Sequence, residues 1–318
     1  MTNAPLRLGT RRSPMAVAQS QLVGRAITAR TGREVELVGI DSAGDKSREL
    51  LTQIGGTGVF VSALRSSLLA GEVDIAVHSL KDLPVLPADG IVLAAVPGRD
   101  DPRDALVGRD GAKLADLPAG ARVGTGSPRR AAQLLLLRPD INPVPVRGNA
   151  GTRLAKVETR ELDGVVLAHA GLARIGRLDA VSQIFEPDEM LPAAGQGALA
   201  VECSAGREDL VALLGGIDDA VSRAATTAER GLLAGLQAGC AAPVGAYAAG
   251  IDVLRLTGVV VAADGGMALR GSASGTLAEA EIIGRQLAAD LLSRGAGRYM
   301  ARYTAVSGGH LSSGDDDK

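Results

Sequence analysis

Apolar and polar positions fall into two rhythms along this chain, one with the period of strands and one with the period of helices. Leu6–Gly9 is a short apolar run that reads as a strand, and Gly9-Thr10-Arg11-Arg12 as the tight loop after it. Ser13 followed by Pro14 is a helix start: the hydroxyl can accept from the first turn, and proline at the first helical position lacks a donor that has no partner there anyway. Met15, Ala16, Ala18, Leu22, Val23 and Ile27 carry the apolar face of that helix to about Thr31. Glu34–Ile40 alternates as a strand, and Val59–Ala70 has helical spacing closed by Gly71. Val73–Val77 reads as a buried strand, and Ile91–Val96 as another. Asp41–Gly58 shows no period and holds Gly44, Gly55, Gly56 and Gly58; loops of this length inside a compact domain are usually functional lids or disordered.

The opening of that pattern recurs. Ala121–Gln133 (ARVGTGSPRRAAQ) can be laid beside Leu6–Gln19 (LRLGTRRSPMAVAQ): strand, Gly-Thr, loop, Ser-Pro, helix, with arginines at the turn. A second unit therefore begins near Arg103. It continues with a helix to Arg138, a strand at Pro143–Val146, a helix from Gly151 to about Thr159, a strand at Gly164–Ala168 and a short helix at Leu172–Ile175. This alternation predicts mostly parallel sheets with helices on both faces. Met190–Gly197 is a loop, and the strand Ala198–Cys203 is expected to return to the first unit. A helix over Asp218–Leu236 with Asp218 as its cap, a small-residue loop over Gln237–Gly245, β-like runs at Leu254–Ala262 and Met267–Ser274 joined through Asp264-Gly265-Gly266, and a last helix at Thr276–Ser293 predict a third, α+β domain. The stretch from Ser307 reads as an unstructured tail, which removes His310 from consideration.

Composition narrows the function classes. The 318 residues suffice for two or three domains, 46% are apolar, 22% are charged, and the net charge is -2. No global basicity is available to grip a nucleic-acid backbone, and with 2% aromatics and no Trp there are no stacking platforms for single strands. No apolar run approaches the roughly 18 residues of a membrane span, and the opening residues do not read as an export signal. Cys203 and Cys240 form no CxxC, so neither a disulfide framework nor a metal site is expected. A cytoplasmic protein is the simplest fit. No long apolar stripe is left over once three cores are assigned, so a monomer is expected.

Chemistry concentrates at strand ends. After Val77 the chain presents His78, Ser79, Lys81 and Asp82, and Pro84 with Pro87 prevents a following helix. Ligands of open α/β sheets sit outside such carboxyl ends, so Asp82 is a candidate acid or base; the plainer alternative is a turn aspartate bonding its own backbone. Arg11, Arg12, Arg129, Arg130, Arg147, Arg153 and Lys156 all fall at strand-to-helix junctions, where free N–H groups and the helix dipole already favour anions. Any one of them pairing with Asp100, Asp101 or Asp104 would be ordinary; the whole set is expected to face a compact polyanion. GxxxxGK[ST] is absent, and Arg129 stands where GxGxxG needs its third glycine, which leaves carboxylates as the better-matched anion. Cys203 in LAVEC reads as a buried structural thiol. Cys240 follows Gly239 in a loop of small residues, open to close approach, and suits a thiol attachment point better than a thiol protease, since neither His78 nor His169 lies in a cysteine–histidine motif.

Together these residues resemble the porphobilinogen deaminase (hydroxymethylbilane synthase) family. The likeness spans residues 5–305 and is carried by GTRRSP at 9–14, AVHSLKDLP at 76–84, DPRDA at 101–105, GTGSPRR at 124–130, VRGNAGTRL at 146–154, LPAAGQGALAVEC at 191–203 and GCAAPVGAYA at 239–248. It implies two doubly wound, periplasmic-binding-protein-like α/β domains, residues 1–98 with 198–216 and residues 99–197, plus a smaller α+β domain at 217–306 and a tail at 307–318. It further implies a dipyrromethane held as a thioether by Cys240, to which four porphobilinogens add head to tail with loss of ammonia before water frees the linear tetrapyrrole. Asp82 would be the catalytic carboxylate, hydrogen-bonding pyrrole nitrogens as positive charge develops on them. Ser79, Lys81, Asp82, Thr125, Ser127, Arg129, Arg130, Arg147 and Gly148 would bind the cofactor, and Arg11, Ser13, Gln19, Arg147, Arg153 and Gln196 the substrate. Each pyrrole carries two carboxylates, which suits the arginines. Thr57 stands where many relatives carry a loop lysine, and Gly126 where serine is usual. A two-lobed binding module for a small polycarboxylate and a thiol-dependent transferase are the competing expectations; the first leaves Cys240 and the third domain without a use.

Overall fold

The computed structural model describes residues 4–41, 58–239 and 242–304. The chain opens with β1 (Leu6–Arg11), α1 (Pro14–Thr31), β2 (Val35–Ile40), α2 (Gly58–Leu69), β3 (Ile75–Ser79) and β4 (Ile91–Ala95). It crosses to β5 (Asp104–Gly108), β6 (Arg122–Gly124), α3 (Pro128–Leu137), β7 (Asn142–Val144), α4 (Ala150–Glu158), β8 (Gly164–Ala168), α5 (His169–Arg174) and β9 (Gln183–Ile184). It then returns as β10 (Leu199–Ser204) and α6 (Glu208–Gly215), and ends with α7 (Ala220–Gly235), β11 (Val244–Ala249), β12 (Leu254–Val261), β13 (Ala268–Gly275), α8 (Ala280–Ser293) and α9 (Gly297–Thr304).

The recurring sequence opening is a recurring topology. One sheet has the order β2-β1-β3-β10-β4 and the other β7-β6-β8-β5-β9, so each strand has a counterpart at the same place. Four of the five strands in each sheet run the same way, as expected, and one runs against them. β1 pairs parallel with β2 and β3, whereas β10 pairs antiparallel with β3 and β4; β6, β7 and β8 are parallel, whereas β5 is antiparallel to β8 and β9. The cause is the connectivity: β5 and β10 each follow directly on a crossing from the other unit, and they enter their sheets against the run of the βαβ strands.

Helices cover both faces of each sheet. In the first, Val23, Ile27, Leu210 and Leu214 pack on the face of Leu8 and Val77, while Leu64 and Leu68 pack on the face of Ala76. In the second, Leu134 meets Val123 and Val166 on one face, and Leu154 with Leu172 meets Val165 and Leu167 on the other. Each fully buried leucine of this kind stabilises the fold by about 1.5–3 kcal/mol. The third sheet, β11-β12-β13, is antiparallel and carries α7 and α8 on one face through Leu232, Ile283 and Leu287. Its other face sets Val259 and Val261 against Ala132 of α3 and Leu191.

Local signals placed most helices. Ser13 caps α1 by accepting from Ala16 N–H, and Ser127 caps α3 by accepting from Arg130 N–H. At α7 the cap is Asp219 in place of the expected Asp218, whose carboxylate accepts from Val96 N–H at 2.7 Å and pairs with Arg223. Five elements carry too little pattern to be expected: β5, the two-residue β9, the eight-residue α6, α9, and β11, which is built largely of alanine and glycine and begins at the end of the expected small-residue loop. Cys240, nearly all of the Asp41–Gly58 loop with Thr57, and the tail at 307–318 lie outside the described residues.

Candidate active site

β1 and β3 are parallel neighbours, so their carboxyl ends leave the first sheet side by side. One end delivers Arg11 and Ser13, the other Ser79, Lys81 and Asp82. Gln19, buried in α1, donates its Nε2 to Ser79 Oγ at 2.9 Å and ties the two ends together. β3 runs into a single 3-10 turn, Leu80–Asp82, closed by Leu83 N–H to Leu80 carbonyl at 3.1 Å. Leu80 is fully buried beneath the turn, which leaves Lys81 half-buried and Asp82 exposed.

The second sheet offers the equivalent edge. β6 ends at Thr125, Ser127, Arg129 and Arg130, and beyond β7 the chain supplies Arg147, Gly148 and the α4 cap Asn149, with Arg153 one turn into the helix. Asp104 begins β5 at this same edge because β5 runs against β8. Its carboxylate is wholly buried and accepts from Arg129 Nη1 at 2.7 Å, Arg130 Nε at 2.9 Å, Arg130 Nη2 at 2.7 Å and Gln196 Nε2 at 2.8 Å.

The two edges are joined at Gln196. Its Nε2 donates to Pro102 carbonyl at 2.7 Å and to Asp104, while its Oε1 accepts from Lys81 Nζ at 3.2 Å and Arg130 Nη2 at 3.3 Å. An amide has two donors and two acceptor positions, so this one is filled, and its orientation is fixed by two oxygens on one side and two cations on the other. Gln196, expected to bind substrate, thus also bridges the two sheet edges internally. Electrostatics follow the geometry. Burial, together with the nearby Arg130, brings the Lys81 ammonium down to about 8, with Asp82 and Asp104 opposing. Burial alone would raise the Asp104 carboxyl, but Arg129 and Arg130 hold it well below the usual carboxylate range. Burial, then Arg130, lowers Arg153.

Several of the cations have partners within the protein. Arg129 and Arg130, expected on the cofactor, are buried on Asp104, with Arg129 also donating to Leu191 carbonyl at 2.6 Å and Arg130 to Val166 carbonyl at 3.1 Å. Arg12 pairs with Asp41 at 2.8 Å just past the ends of β1 and β2, and Lys156 with Glu161 at 2.6 Å. Arg153 Nε donates to Gly148 carbonyl at 2.9 Å, and its side chain, like those of Arg11 and Arg147, stays half-buried at the junction. The departure at Gly126 has a steric reason: a Cβ there would lie 2.9 Å from the Val146 carbonyl oxygen. Cys203 is buried and its thiol is pushed up by that burial, as expected of a structural cysteine.

Two groups beside the site depend on contacts too distant in sequence to be foreseen. Behind the turn, Glu202 of β10 receives both Nε and Nη2 of Arg65 from α2, at 3.0 and 2.7 Å, and lies 3.3 Å from His78 Nε2. Burial opposes its ionisation, yet His78 and Arg65 bring the carboxyl down to about 2. At the crossing, Arg99 donates Nη1 and Nη2 to the fully buried Glu229 at 2.7 and 3.0 Å and Nε to Gln196 carbonyl at 2.8 Å.

Fold and site define a two-lobed α/β protein whose facing sheet edges present cations, hydroxyls and one exposed carboxylate, with a third unit packed against the crossing. The chain belongs to the porphobilinogen deaminase family: the model of the porphobilinogen deaminase dipyromethane cofactor binding domain matches residues 6–212, and that of the porphobilinogen deaminase C-terminal domain matches residues 224–293. Porphobilinogen deaminase of Thermobifida fusca is 59% identical over 97% of this chain and 99% of its own length. Porphobilinogen deaminase 1 of Streptomyces coelicolor is 54% identical over 94% of this chain and 98% of its own. Among solved structures, a periplasmic substrate-binding protein of an ABC transporter from Coxiella burnetii is similar, with a TM-score of 0.43 at 15% identity over 67% of this chain and 91% of that one.

Proposed function

We infer that this chain is a hydroxymethylbilane synthase, a transferase that joins four porphobilinogens head to tail on a dipyrromethane primer, releasing ammonia and finally the linear tetrapyrrole. The observation that carries the site assignment is the exposed Asp82 carboxylate beside Lys81, at the point where Gln196 joins the two sheet edges. Bound dipyrromethane supplies the terminal pyrrole carbon that takes up the next unit. The donor set suits that group: Lys81, Arg147 and Arg153 can bind acetate and propionate side chains, with the Thr125 and Ser127 hydroxyls, Ser79 and the Gly148 backbone beside them. Arg11 and Ser13 would receive the incoming substrate's carboxylates, with Gln19 holding their loop against Ser79. Arg129 and Arg130 belong to the same cofactor-binding set: neutralised in part by Asp104, they supply positive potential and a rigid frame. Asp82 accepts hydrogen bonds from pyrrole N–H groups, stabilises positive charge as it develops and assists proton transfer. Preorganised electrostatics of this kind can be worth roughly 3–4 kcal/mol.

Cys240, in the matched motif GCAAPVGAYA, is the proposed thioether anchor. Strand membership of the three sheets supports a division into 1–98 with 198–216, 99–197 and 217–306. The reading also takes the protein as a cytoplasmic monomer; among the described residues no helix is long and apolar enough to cross a membrane. One experiment tests the assignment. Purified wild type, Asp82→Asn and Cys240→Ser are weighed intact and incubated with porphobilinogen while ammonia is measured. Wild type should carry a two-pyrrole mass increment and release ammonia; Asp82→Asn should keep the increment and lose most turnover; Cys240→Ser should lack the increment. Near-normal turnover in Asp82→Asn, or an increment persisting in Cys240→Ser, rejects the corresponding role.

A further inference from the structure

The residues just past Asp82 have no strand to pair with. Leu83, Pro84 and Val85 belong to no ladder, and their carbonyls are met instead by one side chain of the third unit. Arg230 of α7 donates Nη1 to Leu83 carbonyl at 3.1 Å and Nη2 to Pro84 and Val85 carbonyls at 2.7 and 3.4 Å. A guanidinium is a rigid planar fork, and carbonyl oxygens have no rotamers, so this contact fixes backbone. Val85 also packs against the third core.

The preceding residue of the same helix grips the other side of the turn. Glu229 accepts from Gly195 N–H at 2.7 Å and from Ala248 N–H at 2.9 Å. Gly195, at φ +75, lies so close to the turn that a Cβ on it would sit 3.1 Å from Leu80 Cγ and 3.3 Å from Lys81 N. Its neighbour Gln196 holds the Lys81 ammonium. Lys81 and Asp82 are thus bracketed by two consecutive residues of α7, a helix that ends at Gly235, five residues before Cys240.

We propose that Arg230 is a positioning residue for the reaction: by holding the backbone of 83–85 it sets where the Asp82 carboxylate stands relative to the helix that leads to Cys240. The inference rests on the roles proposed above for Asp82 and Cys240. Arg230→Ala removes the fork, and Arg230→Lys keeps the charge on a single point that cannot span three carbonyls. Misplacing a reacting group by about 1 Å can cost on the order of 100-fold. Arg230→Ala should therefore lower kcat by about 10- to 100-fold with KM within about twofold and the two-pyrrole increment retained, and Arg230→Lys should fall between it and wild type. Arg223→Lys is the structural control. Arg223, on the same helix, donates to Leu93 and Ala94 carbonyls away from the turn, and its replacement should lower the Tm without changing kcat at a temperature where the protein is folded. Because the effect acts through Asp82, adding Arg230→Ala to Asp82→Asn should change the residual rate by less than about twofold. Wild-type kcat in both Arg230 variants while Asp82→Asn is inactive overturns this proposal alone. Full turnover in Asp82→Asn overturns the role of Asp82 and this proposal with it. If Arg230→Ala does not fold, Arg230→Lys and its kcat-to-KM split decide the matter.

Discussion

Lys81 is a residue whose surroundings change its chemistry within the working pH range. Its ammonium donates to Gln196 within reach of the charges of Arg130, Asp82 and Asp104, and burial with Arg130 brings it down to about 8. Lysine binds a carboxylate as a point charge only while protonated, so on the proposed reading its contribution is present below about pH 8 and fades above it. The ratio kcat/KM reports groups of the free enzyme. It should fall as pH rises through about 8 in wild type, and Lys81→Arg, which stays charged, should lose that limb even where its overall rate is lower. An unchanged alkaline limb in Lys81→Arg would assign the titration to another group. Lys81, Asp82 and Arg11 could be read from the chain because each lies in a short local motif at a strand end. Asp104 was a candidate partner for any one arginine, but that it takes both Arg129 and Arg130 could not be read: it reaches them because β5 enters its sheet antiparallel, a consequence of the crossing that no local spacing encodes.

Among the elements, α2 reaches the strand that ends in the Leu80–Asp82 turn through a carboxylate of β10. Arg65 of α2 and His78 of β3 meet on Glu202 of β10, a carboxylate almost wholly shielded from solvent. The Glu202 carboxyl is lowered from 4.5 to about 2, so its ionised form is favoured by folding. Its contribution is complete above about pH 4.5 and is lost as pH falls towards 2; a shift of that size corresponds to about 3 kcal/mol. Urea melts at pH 7 and pH 3 should show wild type losing about 2 kcal/mol through this group alone, whereas Glu202→Gln, already weaker at pH 7, should lose correspondingly less. An equal pH 7-to-3 difference in the two proteins would remove Glu202 from the acid response. The elements themselves were legible where sequence carries its own punctuation. Ser13-Pro14 and Ser127-Pro128 start α1 and α3 at the expected residues, and Gly71 at φ +69 closes α2. β11 was not, because VGAYAA has neither β-branched alternation nor charge, and becomes a strand only by pairing with β12.

At the scale of the whole molecule, three packed bodies are joined where the chain crosses twice between the sheets. Arg174 draws the two crossings together, donating to Asp100 at 2.9 Å and to Gly197 carbonyl at 2.6 Å. The third unit reaches the crossings through Glu229, and the second through Arg270, which donates to Pro187 and Asp188 carbonyls at 2.6 and 2.8 Å. Glu229 is the more consequential contact because all of its partners are donors: two backbone N–H groups and the Arg99 fork. Glutamine has the same shape, but its amide nitrogen would face N–H groups and leave the Arg99 cation buried without a counter-charge. Breaking a buried pair from one side costs about 3–5 kcal/mol, so Glu229→Gln should lower the Tm clearly. It should also loosen the third unit from the other two, so that calorimetry resolves a separate transition in place of a shared one. The comparison is Glu281→Gln, which removes the partner of Arg285 in an exposed i,i+4 pair on α8, where about 0.3–0.5 kcal/mol is expected. Equal losses from the two substitutions would mean that burial at the crossing contributes nothing to holding the three bodies together. A large loss confined to Glu229→Gln would locate that hold at the residue adjoining Arg230.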